Sequence, residues 1–260
     1  MRVWQVDAFT SVPFKGNPAG VVIPEYPLDD SLMQHIATEM NLSETAFFIP
    51  GKCPLLRWFT PSYEIDLCGH ATLSAAHIWM TKIDPELKHV TFDTKFAGPL
   101  EVQRLSNLYT LNFPSRPGKP FEVPSLVIEA LGGTKPAEAY LARDLMIVYD
   151  DEESVHKMEP DMRALLKFKP SIIATAKSKG PYDFISRFFC ADDSITEDPV
   201  TGSAHCTLAP YWAQKLGKNK LKAHQASKRG GDLLLEVQGE RIAIAGEAVT
   251  VLEGNILCKF

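Results

Sequence analysis

The second half of this chain repeats part of the first, and that repeat limits what it can fold into. At an offset of 133 residues, the segment Gly202 to Trp212 falls on Gly69 to Trp79. Glu64/Glu197, Gly69/Gly202, Ala71/Ala204, Ala76/Ala209 and Trp79/Trp212 are identical. All of these matches lie on one strand, turn and helix pattern. Upstream, Arg187-Phe188-Phe189 echoes Arg57-Trp58-Phe59. A self-similar chain of this kind reads as a duplicated architecture, with two related halves that each present a helix N-terminus.

The second copy opens on Glu-Asp-Pro-Val-Thr-Gly-Ser-Ala-His, residues 197–205, and passes directly into an apolar helical run through Leu216. The first N–H groups of a helix lack intrahelical partners, so such a turn can hold an anion, and Gly202 lets the backbone come close to it. The competing reading is an ordinary N-cap, with Thr201 or Ser203 bonding a free N–H. In the first copy, a helix over 70–80 carries Ala71, Ser74, Ala75 and Ala76 beside Leu73, Ile78 and Trp79, which suits a central helix wrapped closely by strands. His70 in its first turn meets the positive helix end, which favours a neutral ring. His77 reads as a packing histidine. Two such helix ends, at His70 and Ser203, are expected to face each other where the halves join.

The remaining elements are mainly strands. Residues 3–9, 19–23, 46–49, 55–60, 89–94, 99–104 and 108–113 fit strands in the first half, with a helix capped by Asp29 or Asp30 and ending near Asn41. Pro114, Pro117, Pro120 and Pro124 crowd one short stretch, where no regular element is expected. The domain boundary is placed there, giving halves of 1–115 and 116–260, with the final strand able to pack on the first half. Helices are read at 124–131 and 161–168 and strands at 145–149, 172–176, 184–189, 222–226, 233–238, 242–245, 248–252 and 256–258.

Asn17 lies in a Gly-Asn-Pro turn, where its amide either closes the loop or meets a ligand. Glu44 stands at the mouth of a buried strand. If it faces a closed cleft rather than solvent, desolvation raises a carboxyl pKa towards that of a useful proton carrier. Asp198 supplies a second acid, and paired acids are the usual equipment for moving a proton on and off carbon without a cofactor.

Composition removes other classes. With 45% hydrophobic and 23% charged residues the chain is typical of a globular protein. A net charge of −5 and the lack of any Lys/Arg cluster with interleaved aromatics argue against nucleic acid. No apolar run approaches a membrane span, and no signal peptide is read. Cys53, Cys68, Cys190, Cys206 and Cys258 are an odd set with no CxxC spacing, which suits free thiols in a reducing cytoplasm. No HExxH or comparable histidine spacing points to a metal.

Five ordered motifs then carry a resemblance. Phe14-Lys15-Gly16-Asn17-Pro18, Ser43-Glu44-Thr45, Arg57-Trp58-Phe59-Thr60-Pro61, Cys68-Gly69-His70-Ala71-Thr72 and Asp198-Pro199-Val200-Thr201-Gly202-Ser203-Ala204 together resemble the phenazine biosynthesis PhzF-like isomerases. That family shares the diaminopimelate epimerase-like fold. The resemblance implies an α+β chain of two similar domains, each a β-barrel-like roll of strands around a central helix, with the active site in the interdomain cleft. It also implies a cofactor-independent isomerase working as a homodimer on a small carboxylate of the cyclic dihydro-hydroxyanthranilate type. By the same resemblance Glu44 is the acid/base, while His70, Asp198 and Ser203 surround and orient the substrate. Asn17, Gly69, Thr201 and Gly202 complete the expected substrate-binding set.

Racemases of the wider fold use a thiol on each of two helix N-termini. Cys68 stands where one could lie, but residues 198–202 contain no cysteine, so Cys68 reads as a packing residue. Two other readings stay open. One is an amino-acid racemase or epimerase that keeps a carboxylate in place of a thiol; the other is a metabolite- or partner-binding protein that has lost catalysis.

Overall fold

The structure is a computed structural model and describes residues 1–190 and 196–257; Cys258 lies outside the described residues. The chain divides into two compact units. One is Met1–Asn112 joined by the chain from Ala245 onward, and the other is Phe113–Ile244.

In the first unit Arg2–Ala8 is a buried strand with a partner on each edge. Asn17–Ile23 pairs antiparallel on one side and Ala248–Asn255 antiparallel on the other, which is what ties the end of the chain to this unit. Asn17–Ile23 runs parallel to Glu44–Phe47, a pairing that needs a crossover, and the helix Asp30–Met40 supplies it. Asp29 caps that helix by accepting from the Leu32 N–H, and Asn41 ends it in the left-handed conformation at φ 50°. Glu44–Phe47 pairs antiparallel with Leu55–Phe59. The latter runs parallel to His89–Thr94 across a second crossover, the helix Gly69–Ile78. Leu100–Leu105 follows antiparallel.

The second unit repeats this order. Glu138–Leu141 is antiparallel to Leu145–Tyr149, which is parallel to Ile172–Lys177 across the short helices Glu152–His156 and Met162–Leu165. Ile172–Lys177 is antiparallel to Phe184–Phe189. That strand is parallel to Lys220–Gln225 across the helix His205–Leu216, and Gly231–Gln238 follows antiparallel. The 133-residue echo is therefore one architecture used twice.

The repeat extends to single contacts. Arg57 grips Glu64 through Nε to Oε1 at 2.6 Å and Nη2 to Oε2 at 2.7 Å; Arg187 grips Glu197 in the same way at 2.7 and 2.9 Å. Each glutamate sits across from a phenylalanine, Phe59 or Phe189, whose ring lies under the same arginine. A two-point fork of this kind fixes direction as well as distance.

Every residue of the helix Gly69–Ile78 is buried. Its small side chains are what lets strands approach it on all sides, and a π-helical turn, Trp79–Ile83, ends it. His205–Leu216 instead buries one face through Cys206, Leu208, Ala209 and Trp212, and stops at Gly217, whose φ is +67°. The Trp212 ring stacks on Phe184 at 5.5 Å and its Nε1–H donates to Thr175 at 3.0 Å.

Several elements differ from the sequence reading. The α-helix of the second copy begins at His205, because Gly202–Ala204 forms a 3-10 turn ahead of it. The expected helix at 161–168 is only Met162–Leu165, since Pro170 bars continuation of the helix. Within the proline-rich stretch, Lys119–Pro120 forms a short edge strand against Tyr140 and Leu141, a place where a missing proline N–H is tolerated. Glu138–Leu141 and Glu152–His156 were not anticipated; the first is half-buried throughout and shows no clear alternation. Ile256 and Leu257 are not part of a strand. Among the described residues no helix is long and apolar enough to cross a membrane.

Candidate active site

The first unit brings four of the sequence-derived residues to one place. Glu44 opens its strand, Asn17 opens the strand beside it, and Gly69-His70 begins the buried helix. Glu44 Oε2 lies 3.0 Å from His70 Nε2, with the two side chains 14% and 5% exposed. On the other edge of the ring, Nδ1 meets Asn17 Nδ2 at 3.2 Å and Cys68 Sγ at 3.4 Å. Ser43 Oγ is 3.3 Å from Asn17 Oδ1 and 3.5 Å from His70 Nε2. Asn17 is fully buried, so its amide serves this cluster rather than an exposed turn.

The loop that delivers Asn17 is tightly specified. Gly16 has φ +63°, and a Cβ there would stand 2.1 Å from the Ala8 carbonyl oxygen. Only glycine fits both restrictions. Phe14 also adopts a positive φ, of 68°, and its N–H donates to the buried Asp7 carboxylate at 2.6 Å.

The expectation of a neutral His70 is overturned. Burial works against the imidazolium, but Cys68 and Glu44 outweigh it, and the His70 pKa is raised well above 6.5. Burial pushes the Cys68 thiol up, with Glu44 adding to the effect. Both neighbours raise His70, the Cys68 sulfur first and the Glu44 carboxylate second. A full charge at 3.0 Å prevails over the half-charge of a helix end. An imidazolium donates from both nitrogens, so it asks Asn17 for an acceptor. Cys68, expected as packing, is a polar member of the cluster.

Glu44, Cys68 and His70 each offer a ligand atom within 4.8 Å of the others. His70 nevertheless presents Nε2 to the carboxylate and Nδ1 to the thiol. An ion taken by one nitrogen would leave behind the partner on the opposite edge. Glu44 Oε2 is buried and reaches His70 as an ion pair by distance, without hydrogen-bond geometry.

The second unit gathers Asp198 and Thr201. Neither Thr201 nor Ser203 caps the turn through its side chain. The Thr201 hydroxyl instead donates to Asp198 Oδ2 at 2.5 Å, and Gly202 and Ser203 form the 3-10 turn that follows. His205 is fully buried and holds the Thr201 carbonyl oxygen at 2.8 Å through Nδ1. Glu197 is occupied by its fork with Arg187.

The phenazine biosynthesis-like protein model (PhzC-PhzF) matches residues 6–254. The chain belongs to this family of isomerases. A PhzF-like relative from Pseudomonas aeruginosa, named an uncharacterized isomerase, is 46% identical over 256 residues and covers 97% of both chains. A solved PhzF family protein from Enterococcus faecalis is 43% identical, covers 97% of both chains and has a TM-score of 0.93. A probable proline racemase from Agrobacterium radiobacter, 10% identical, matches 99% of this chain and 93% of its own with a TM-score of 0.67, a likeness of fold alone. The PhzF-like chain thus has the α+β, diaminopimelate epimerase-like fold.

Sequence reasoning missed Ser43 and Gln225, the latter bonded to the Thr201 N–H at 2.8 Å and the Asp198 carbonyl oxygen at 2.8 Å, as members of these clusters. Ser43 stood inside a quoted motif, beside Glu44, and could have been chosen. Gln225 offered no signal: it ends a strand of ordinary composition, and only its complete burial marks it.

Proposed function

We propose that this isomerase moves a proton between carbons of a small cyclic carboxylic or amino acid, of the dihydro-hydroxyanthranilate type, without a cofactor. Glu44 is its acid/base. The observation that carries this reading is the Glu44–His70 contact of 3.0 Å at the start of a wholly buried helix. A carboxylate beside an imidazolium and shielded from water can accept a proton from carbon, hold it and return it to a neighbouring carbon. His70 fixes the carboxylate and balances its charge. Asn17 and Gly69 bind and orient the substrate from the first unit; Asp198, Thr201, Gly202 and Ser203 do so from the second. Acid/base catalysis of this kind is worth about 10²- to 10⁴-fold, so orientation supplies much of the rest. A cytoplasmic homodimer completes the proposal, and sedimentation at micromolar concentration tests the dimer.

The decisive experiment incubates the parent and Glu44→Gln with cyclic amino and hydroxy carboxylic acids in deuterated water. Turnover and deuterium incorporation are expected in the parent and absent from the variant, with the fold intact by circular dichroism. A variant that still turns over sinks the role of Glu44. A second reading has one observation in its favour, the Cys68 thiol 3.4 Å from His70. If the chain is a racemase, the same incubation yields α-deuterated amino acid that has lost optical purity.

A further inference from the structure

The two units solve the same folding problem, which makes each a control for the other. Both hang the turn before their second crossover helix from an Arg–Glu fork, Arg57–Glu64 or Arg187–Glu197. The fork therefore belongs to the shared fold. In the second unit a further side chain reaches the backbone of that turn from the strand that follows the helix; in the first, Lys95 beyond the matching strand meets only the Glu64 carboxylate of that turn, at 2.9 Å, among the described residues. Gln225, the last residue of Lys220–Gln225 and fully buried, accepts from the Thr201 N–H through Oε1 at 2.8 Å. Its Nε2 donates to the Asp198 carbonyl oxygen at 2.8 Å and to Thr201 Oγ1 at 3.1 Å.

The matching position in the first unit follows from the strand register. Gln225 pairs with Ser186, which precedes Arg187; Thr94 pairs with Leu56, which precedes Arg57. The Thr94 hydroxyl donates to the Gly98 carbonyl oxygen at 2.7 Å and accepts from the Ala97 N–H at 2.9 Å, closing a turn of its own. The same strand order is thus reached without a side chain clamping the turn from this position.

The Gln225 contacts also have a direction. Oε1 faces an N–H and Nε2 faces two oxygens, so the amide can sit only one way round. Because Nε2 donates to Thr201 Oγ1, the hydroxyl proton of Thr201 is directed away from it, onto Asp198 Oδ2. We infer that Gln225 is a positioning residue: it holds the turn from Asp198 to Thr201 in one hydrogen-bonded form and commits the Thr201 proton to the Asp198 carboxylate, leaving Asp198 as an acceptor. The inference rests on the reading above that Asp198 and Thr201 orient the substrate.

The test uses Gln225→Leu and Gln225→Glu in the full chain, without ligand, read by thermal unfolding, amide exchange and proton NMR of threonine-labelled protein. Leucine removes every bond and leaves the Thr201 N–H and the Asp198 carbonyl oxygen unpaired, so the unfolding midpoint is expected to fall and the Thr201 amide to exchange roughly tenfold faster than the drop in global stability accounts for. Glutamate keeps an acceptor for the Thr201 N–H and, once ionised, has no donor; burial raises its pKa, so the spectra are recorded in mild alkali. The amide stays protected, and the hydroxyl proton loses its correlation with the Asp198 carboxyl carbon that the parent displays. Three outcomes overturn the inference: Thr201 exchange in Gln225→Leu within about twofold of what the drop in global stability accounts for, an Asp198 correlation that survives in Gln225→Glu, or failure of both variants to fold, which would make Gln225 a folding residue. None of these readouts needs turnover. A loss of the proposed reaction would therefore show in the Glu44→Gln incubation and leave this result standing.

Discussion

His70 holds its proton because of its neighbours rather than because of its own place in the chain. Burial alone disfavours the charged ring, and Cys68 together with the Glu44 carboxylate reverses that balance. A folded-state pKa above the unfolded value stabilises the fold fully below about pH 6.5, where the unfolded histidine is also charged. The contribution disappears as pH rises through the folded value. Glu44→Gln removes one of the two influences that oppose burial, so the His70 Cε1–H resonance is expected to titrate lower than in the parent. The stability gap between parent and variant is then widest in mild acid and narrows in alkali. A His70 titration unchanged by the substitution would mean that the carboxylate does not hold the proton. Gly69-His70 was legible in the sequence as a polar start to a helix. Its charge state was not, because Glu44 lies 26 residues upstream and only the pairing of strands brings it to Nε2.

The strand–turn–helix unit was the most legible element, and its duplication identified both turns that hold the candidate site residues. Small residues and tryptophan recur there because each copy buries a slim helix face and closes it with a large ring. The elements misread in the sequence are those decided by long-range pairing, such as the edge strand Lys119–Pro120. The Arg–Glu fork explains why Glu64 and Glu197 are among the matches. Both arginine side chains are 12% exposed, and their glutamates are 15% and 22% exposed. Removing Arg187 strands Glu197 with little water to turn to, whereas Glu64 keeps Lys95 at 2.9 Å when Arg57 is removed. Arg57→Met and Arg187→Met are each expected to lower unfolding free energy by about 2–3 kcal/mol, less than for a fully buried pair because some solvent reaches the glutamates. Urea denaturation of the two variants checks this. The loss is expected to be larger for Arg187→Met, which also frees the Val155 and Met158 carbonyl oxygens, and a loss below about 0.5 kcal/mol in either would place that fork among weak surface pairs.

Over the whole molecule, the α+β class and the duplicated halves were visible in the sequence, whereas the return of Ala248–Asn255 to the first unit depends on edge pairing with Arg2–Ala8. Acid sensitivity is also set at this scale, because each unit buries a histidine that the proposed chemistry does not use. His77 bonds Tyr109 at Nδ1 and Thr250 at Nε2, both at 2.9 Å, and burial with help from Arg104 and Lys82 lowers its pKa to about 4. His205 is lowered by burial to about 4, against the pull of the Thr201 carbonyl oxygen. Above about pH 6.5 both are neutral whether folded or unfolded, and nothing is lost. Between there and about pH 4 the unfolded chain takes up protons that the folded chain refuses, so stability falls as pH falls. Each histidine contributes a slope of about 1.4 kcal/mol per pH unit, or on the order of 3 kcal/mol over the window. His205→Asn keeps an amide donor for the Thr201 carbonyl and removes the titrating ring. Its urea-unfolding free energy should run parallel to the parent's above pH 6.5 and lose about one proton's worth of slope below it. Curves that stay parallel down to pH 4 would show that His205 takes up its proton without unfolding.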